Sequence, residues 1–90
     1  MPPVTVVVAS IAAQVVTADC GPDSHAIAGG GSSLGTTGSG GNHSSNFQAS
    51  YPSEADATPV PTGTQNPRFW TTLWFVPDPT NTTDALCVPN

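Results

Sequence analysis

Residues 68–76, Arg-Phe-Trp-Thr-Thr-Leu-Trp-Phe-Val, constrain the fold more than any other stretch of the chain. They are β-branched, aromatic or leucine almost throughout, and a period of two divides them cleanly. Phe69, Thr71, Leu73 and Phe75 share one face, and Trp70, Thr72, Trp74 and Val76 the other. No comparable helical periodicity occurs anywhere in the 90 residues, and ten prolines and nine glycines punctuate them. The phenylalanine and leucine face is the expected core side.

Other strands follow from the same pattern. Val4 to Val16 is rich in valine and isoleucine, which suit a pleated surface. Both of its faces are mostly apolar, as in a strand buried on two sides or covered by a neighbouring subunit; a helix from Ser10 to Val16 is the weaker alternative. After the turn cluster Cys-Gly-Pro-Asp-Ser comes a short strand from His25, running into Gly29, Gly30 and Gly31. Three consecutive glycines point to a close backbone approach, a bulge or a bend at a sheet corner, and the corner is the expected form. Ser32 to Ser45 reads as a long polar loop. Phe47, Ala49 and Tyr51 then alternate on a strand that Pro52 ends, the acidic, proline-rich segment from Ser53 to Pro67 forms a second loop, and Asp84 to Val88 is the last strand. About five short strands with long turns make the fold class all-β, a small sandwich or jelly-roll-like domain. One domain over residues 1–90 is expected, with 1–18 an N-terminal strand or arm and 20–88 a core bracketed by cysteines.

Cys20 and Cys87 are the only two cysteines. Free thiols are one reading. A bridge is favoured, because the pair encloses most of the chain and neither member sits in a redox or zinc motif. A 90-residue domain buries a modest share of its surface, so a crosslink or a partner subunit is a natural source of stability.

The charge balance excludes several function classes. One arginine, no lysine and a net charge of −5 leave too few cations to bind nucleic acid, and disfavour anionic membrane surfaces. The apolar N-terminal run is too short to span a membrane and is interrupted by Thr5, Ser10 and Gln14. It lacks a basic leading region and a small-x-small cleavage site, and Asp19 spoils a lipoprotein box at Cys20, so no export signal is expected.

No catalytic residue, metal or cofactor is expected either. The glycine-rich stretch from His25 to Phe47 lacks the Gly-Lys-Ser/Thr ending of a phosphate loop and any following helix. His25, His43, Asp19 and Asp23 match no zinc spacing, and the six carboxylates, with Glu54, Asp56, Asp78 and Asp84, match no calcium loop. The serines form no nucleophile elbow, and Glu54 and Asp56 share one loop rather than facing across a cleft. Trp70 and Trp74, with Tyr51, are the candidate contact residues: they stack on glycan rings or pack against another strand or subunit, and packing is favoured because so uncharged a chain needs partners.

In order along the chain, Cys20, "HAIAGGGSSL", "ASYPSEAD", "RFWTTLWF" and "DALCV" resemble a module of actinobacterial secreted proteins and actinobacteriophage virion proteins. The likeness covers Cys20 to Val88, and abundant alanine, proline, glycine, threonine and valine fit the coding bias of such genomes. Within that group the chain is similar to the small minor tail proteins of siphophages. The resemblance implies a non-enzymatic virion structural protein at the tail tip or fibre region, assembled in the bacterial host cytoplasm and carried on the extracellular particle. Its implied partners are other tail proteins and further copies of itself, a trimer among the expected forms, with host cell-wall glycan as a contact. A secreted or surface carbohydrate-binding module and a capsid decoration protein are the two alternatives.

Overall fold

The computed structural model describes residues 3–34 and 47–90. Six strands form: β1 (Thr5–Ser10), β2 (Val15–Asp19), β3 (Ser24–Ser32), β4 (Phe47–Ser53), β5 (Phe69–Trp74) and β6 (Thr82–Pro89). They make two antiparallel three-stranded sheets, ordered β1-β6-β3 and β2-β5-β4, so the all-β sandwich expected from the sequence is the fold. Only β4 and β5 are consecutive strands within one sheet; every other connection crosses to the opposite sheet.

The apolar run from Val4 to Val16 is therefore two strands rather than one, broken at residues 11–14 where the chain changes sheets, and no helix forms there. Burial on both faces does not occur either. Val7 and Ala9 pack inward on the core with Val16 and Ala18, while Val4, Val6 and Val8 remain 54–61 % exposed. A two-layer sandwich has only one interior, and among the described residues no third layer covers the alternate valines. Within the N-terminal segment, β1 pairs with β6 and β2 with β5, so each sheet takes one strand from it.

The strand from residue 69 packs the opposite way round from the expectation. Thr72 and Trp74 are buried and Trp70 is half-buried between the sheets; on the other face Phe75 is exposed, Phe69 and Leu73 are half-covered, and only Thr71, bonded to the Thr17 and Ser53 hydroxyls, is buried. The reason lies in β3, which does not turn a corner at its glycines but continues to Ser32 in register with β6. A Cβ on Gly29 would stand 2.3 Å from Trp70 Cγ, and one on Gly31 3.0 Å from Trp74 Cζ2. The glycines are the gap into which the indoles fit, which realises the close-approach reading. A bulge between Ala26 and Ala28 precedes them.

On β4 a bulge between Phe47 and Ala49 takes Phe47 off the face of Ala49 and Tyr51; its ring meets Trp74 edge-on, 5.2 Å between centroids. The strand runs through Pro52 to Ser53, as an edge strand can, because no second neighbour needs the missing N–H. Ser32, assigned above to the loop, ends β3; the rest of that loop from residue 35 onward lies outside the described residues.

The interior is small and half polar. Val16, Ala18, Ala26, Trp74, Ala85 and Cys87 are its buried apolar members, beside buried Ser53, Thr71, Thr72, Asp78, Asn81 and Thr83. One chain of hydrogen bonds ties the sheets together. Trp74 Nε1 donates to Thr72 Oγ1 (2.9 Å), the Thr72 and Thr83 hydroxyls share a bond of 2.6 Å, and Thr83 Oγ1 donates to the Val16 carbonyl (2.8 Å). Each hydroxyl has a single proton, and Thr83 spends its own on Val16, so Thr72 must donate to Thr83 and the relay has one direction. Substituting Thr72 by valine keeps its shape but strands the indole N–H without an acceptor. Denaturant unfolding of Thr72→Val is expected to show a loss of about 2 kcal/mol, the cost of a buried unsatisfied donor.

The bridge between Cys20 and Cys87 is formed, with Cα atoms 5.6 Å apart. Cys20 leaves the end of β2 and Cys87 lies on β6, so the bond joins the two sheets directly, beside buried Ala18 and Ala85. At the other end of the sandwich, where β1 crosses to β2 and β5 to β6, Asn81 acts as a clasp. Its Nδ2 donates to the carbonyls of Ala13 (2.9 Å) and Val76 (2.8 Å), while the Ile11 N–H donates to its backbone oxygen (3.2 Å).

Candidate functional site

The most unusual surface of the molecule is the outer face of the β1-β6-β3 sheet. Strand alternation directs Val4, Val6 and Val8 away from the core, and the register sets Leu86 opposite Val6 and Asp84 opposite Val8. On the far side of β6, the β3 bulge inserts Ile27 between inward Ala26, paired with Cys87, and Ala28, paired with Leu86. Ile27 is thereby exposed, along with Leu86 at the middle of the sheet. The result is a band of exposed valine, isoleucine and leucine side chains on three adjacent strands. Its polar members are Asp84 and His25, the latter sharing a 2.8 Å hydrogen bond between Nδ1 and Asn90 Oδ1.

Sequence reasoning anticipated the valines of β1 as a docking element. It missed Ile27 and Leu86, because the one-residue bulge that turns Ile27 outward leaves no mark in the alternation of a glycine-ended strand.

Trp70, Trp74 and Tyr51 are not brought together. Trp74 is only 4 % exposed and lies between the sheets. Trp70 sits beneath Gly29, half-buried, with Nε1 donating to Ser50 Oγ (2.7 Å). Tyr51 is on the opposite face of β4, where its hydroxyl donates to the Ala57 carbonyl (2.7 Å) and its partial burial raises the phenol pKa. The acidic loop folds back over that face: Val60 N–H donates to Pro52 O, and Ser53 bridges to Pro59. No exposed aromatic platform results from these three residues.

Asp19, Asp56 and Asp78 are engaged in local bonds. Arg68 grips Asp19 through Nε and Nη2 at 2.7 and 3.0 Å, and this hydrogen bonding holds the Asp19 carboxyl below its ordinary value. A carboxylate with a depressed pKa stabilises the fold above the usual carboxylate range and loses that effect as pH falls through its folded value. Here both partners are over 40 % exposed, so the pair is weak. The guanidinium also stands 5.0 Å from the centre of the Phe69 ring. Asp56 accepts from the Thr58 N–H within its turn, and Asp78 is buried, accepting from the Thr80 N–H. Among the described residues, no three histidine, cysteine or carboxylate side chains converge; His43 lies outside them. A cleft of about 310 Å³ lies between Ser10, Ser32, Ser33, Leu34, Pro79, Thr80 and Thr82. Its hydroxyls are engaged with one another and with nearby backbone: Thr82 donates to Thr80 O, and the Leu34 N–H donates to Thr80 Oγ1.

No protein-family model, curated protein or solved structure matches the chain.

Proposed function

We propose that this chain is a non-enzymatic structural subunit that works by assembly, and that its setting is a phage virion, at the tail tip or fibre region. The observation that carries the assembly reading is the outer face formed by Val6, Val8, Ile27 and Leu86, left open on a chain with one basic side chain. Water contact with that much aliphatic surface is unfavourable at about 25 cal/mol per Å², and a partner relieves it. A low density of charge, which in a free monomer invites association, suits a subunit whose neighbours are permanent. The virion setting comes from the order of motifs between Cys20 and Val88 described above.

Mass spectrometry of purified particles tests this reading. Peptides of the chain are expected in the particle fraction, and in the tail portion when heads and tails are separated. Peptides confined to heads would replace the tail assignment with capsid decoration, and a chain recovered free in culture medium would overturn the virion reading altogether. The carbohydrate-binding alternative loses the support it drew from Trp70 and Trp74, which pack between the sheets.

A further inference from the structure

The sandwich has four edge strands, β1, β3, β2 and β4, and three of them carry a feature that blocks further pairing. β3 has the Ala26/Ala28 bulge followed by three glycines, β4 has a bulge at Phe47/Ala49 and a proline at 52, and β2 is five residues long and ends in the charged pair of Asp19 with Arg68. Bulges, prolines, charges and shortness are the usual protections against strand addition. β1 has no bulge, proline or charged side chain. Its six residues, Thr-Val-Val-Val-Ala-Ser, run without a break in register against β6, and the sequence carries no charge before Asp19. Among the described residues, β1 has no strand on its outer side.

We infer that β1 is a pairing edge for a second copy of this chain, the two β1 strands running antiparallel about a two-fold axis at Val7. Three features of the strand favour a copy of itself. A two-fold arrangement needs an edge that is complementary to its own reverse, and residues opposite one another must lie on the same face. Centring on Val7 satisfies both: Val7 faces its symmetry mate on the inner side, Val6 faces the partner's Val8 on the outer side, and Thr5 faces the partner's Ala9. Moving the centre to Val8 would place Val6 against Ser10 and give up valine pairs. Charge does not oppose the contact, although each chain carries −5 overall. The outer-face carboxylate nearest the edge, Asp84, is one strand in, so its symmetry mate is three strand spacings away, roughly 14 Å. That exceeds the Debye length of about 8 Å at physiological ionic strength. The pairing makes a six-stranded sheet, ordered β3-β6-β1-β1-β6-β3, doubles the outer aliphatic band, and closes both open edges at once, so it stops at two copies.

This deepens the assembly reading and takes its setting from it, but it is measured on the purified chain alone. Light scattering over a concentration series is expected to give twice the chain mass for the oxidised protein. Val6→Lys with Val8→Lys sets like charges opposite one another at exposed positions and is expected to weaken the dimer about a hundredfold. Val6→Lys with Val8→Glu sets opposite charges face to face in the Val7-centred register alone, and is expected to restore most of the affinity. Thermal melts confirm that each variant is folded. For the unmodified chain, amide exchange in β1 is expected to slow as concentration rises, which gives a readout free of substitution. A chain monomeric at every concentration, a trimeric mass, or no recovery in the charge swap would overturn the pairing. Monomers in solution with peptides in particles would sink the pairing and spare the virion reading; a dimer absent from particles would do the reverse.

Discussion

Replacing Cys20 and Cys87 together by serine is expected to lower the stability of the domain by about 4 kcal/mol, which for a single sandwich of this size removes a large part of the total. The bond closes a segment with a sequence separation of 67, and the stabilisation of a crosslink grows with the logarithm of the loop it closes in the unfolded chain. The topology makes the effect severe. Apart from the β4–β5 connection, every strand pairing joins segments that are not consecutive, so the reduced chain must close large loops before any sheet contact offsets their entropy. The buried apolar set next to the bridge is two alanines, with Trp70, Val7 and Ala9 only partly covered, and offers little hydrophobic free energy in its place. Urea unfolding of the oxidised protein and of the double-serine variant, followed by tryptophan fluorescence, measures the difference. Stability unchanged within about 1 kcal/mol would show that the sheets hold together without the bond.

Gly29→Ala should cost roughly 3 kcal/mol, the upper range for a side chain forced into a filled interior. The new methyl would stand 2.3 Å from Trp70 Cγ and 2.4 Å from Cδ1 and Cδ2, so the middle of the indole, not a flexible tip, is in the way. Trp70 has little freedom to retreat, since Nε1 is bonded to Ser50 and its ring packs against the cluster around Cys87. Gly30→Ala is the matched control: a Cβ there meets nothing within 4 Å, and its effect should stay within about 0.5 kcal/mol. Combining Gly29→Ala with Trp70→Leu should cost less than the sum of the two, because the smaller side chain vacates the space the methyl needs. Strict additivity in that cycle would mean that the glycine serves another purpose.

Much of the architecture was legible because alternation and punctuation are local properties. Thr71 and Thr72 sit where a strand was expected, Cys87 lies on the last strand, and the bridge to Cys20 is formed. What escaped were features that depend on the opposite sheet. The directional relay through Thr72 and Thr83 joins residues from different sheets, and neither threonine differs in sequence from an exposed one. The clasp at Asn81 has no local signature either, since its partners at Ala13 and Val76 come from two separate crossovers. Of the candidate contact residues, the valines of β1 carried a visible signal, an apolar run on both faces. The exposure of Ile27 and Leu86 carried none, because it depends on the β3 bulge and on there being, among the described residues, no third layer.

The sequence by itself determined that this chain would be all-β, which stretches would carry strands though not their bounds, and that its two cysteines were suited to a covalent tie. Each of these rests on period-two patterning, turn residues or cysteine placement, which neighbouring side chains and the chain's own length decide. The tertiary structure alone decided which face of each strand is inside. For β5 the answer was set across the sandwich: Gly29 and Gly31 leave room that only large side chains fill, so the tryptophans turned inward and Phe75 was left in water. For β1 it was set by the number of layers. With one interior to line, Val7 took it, and Val6 and Val8 became the surface on which the assembly proposal rests.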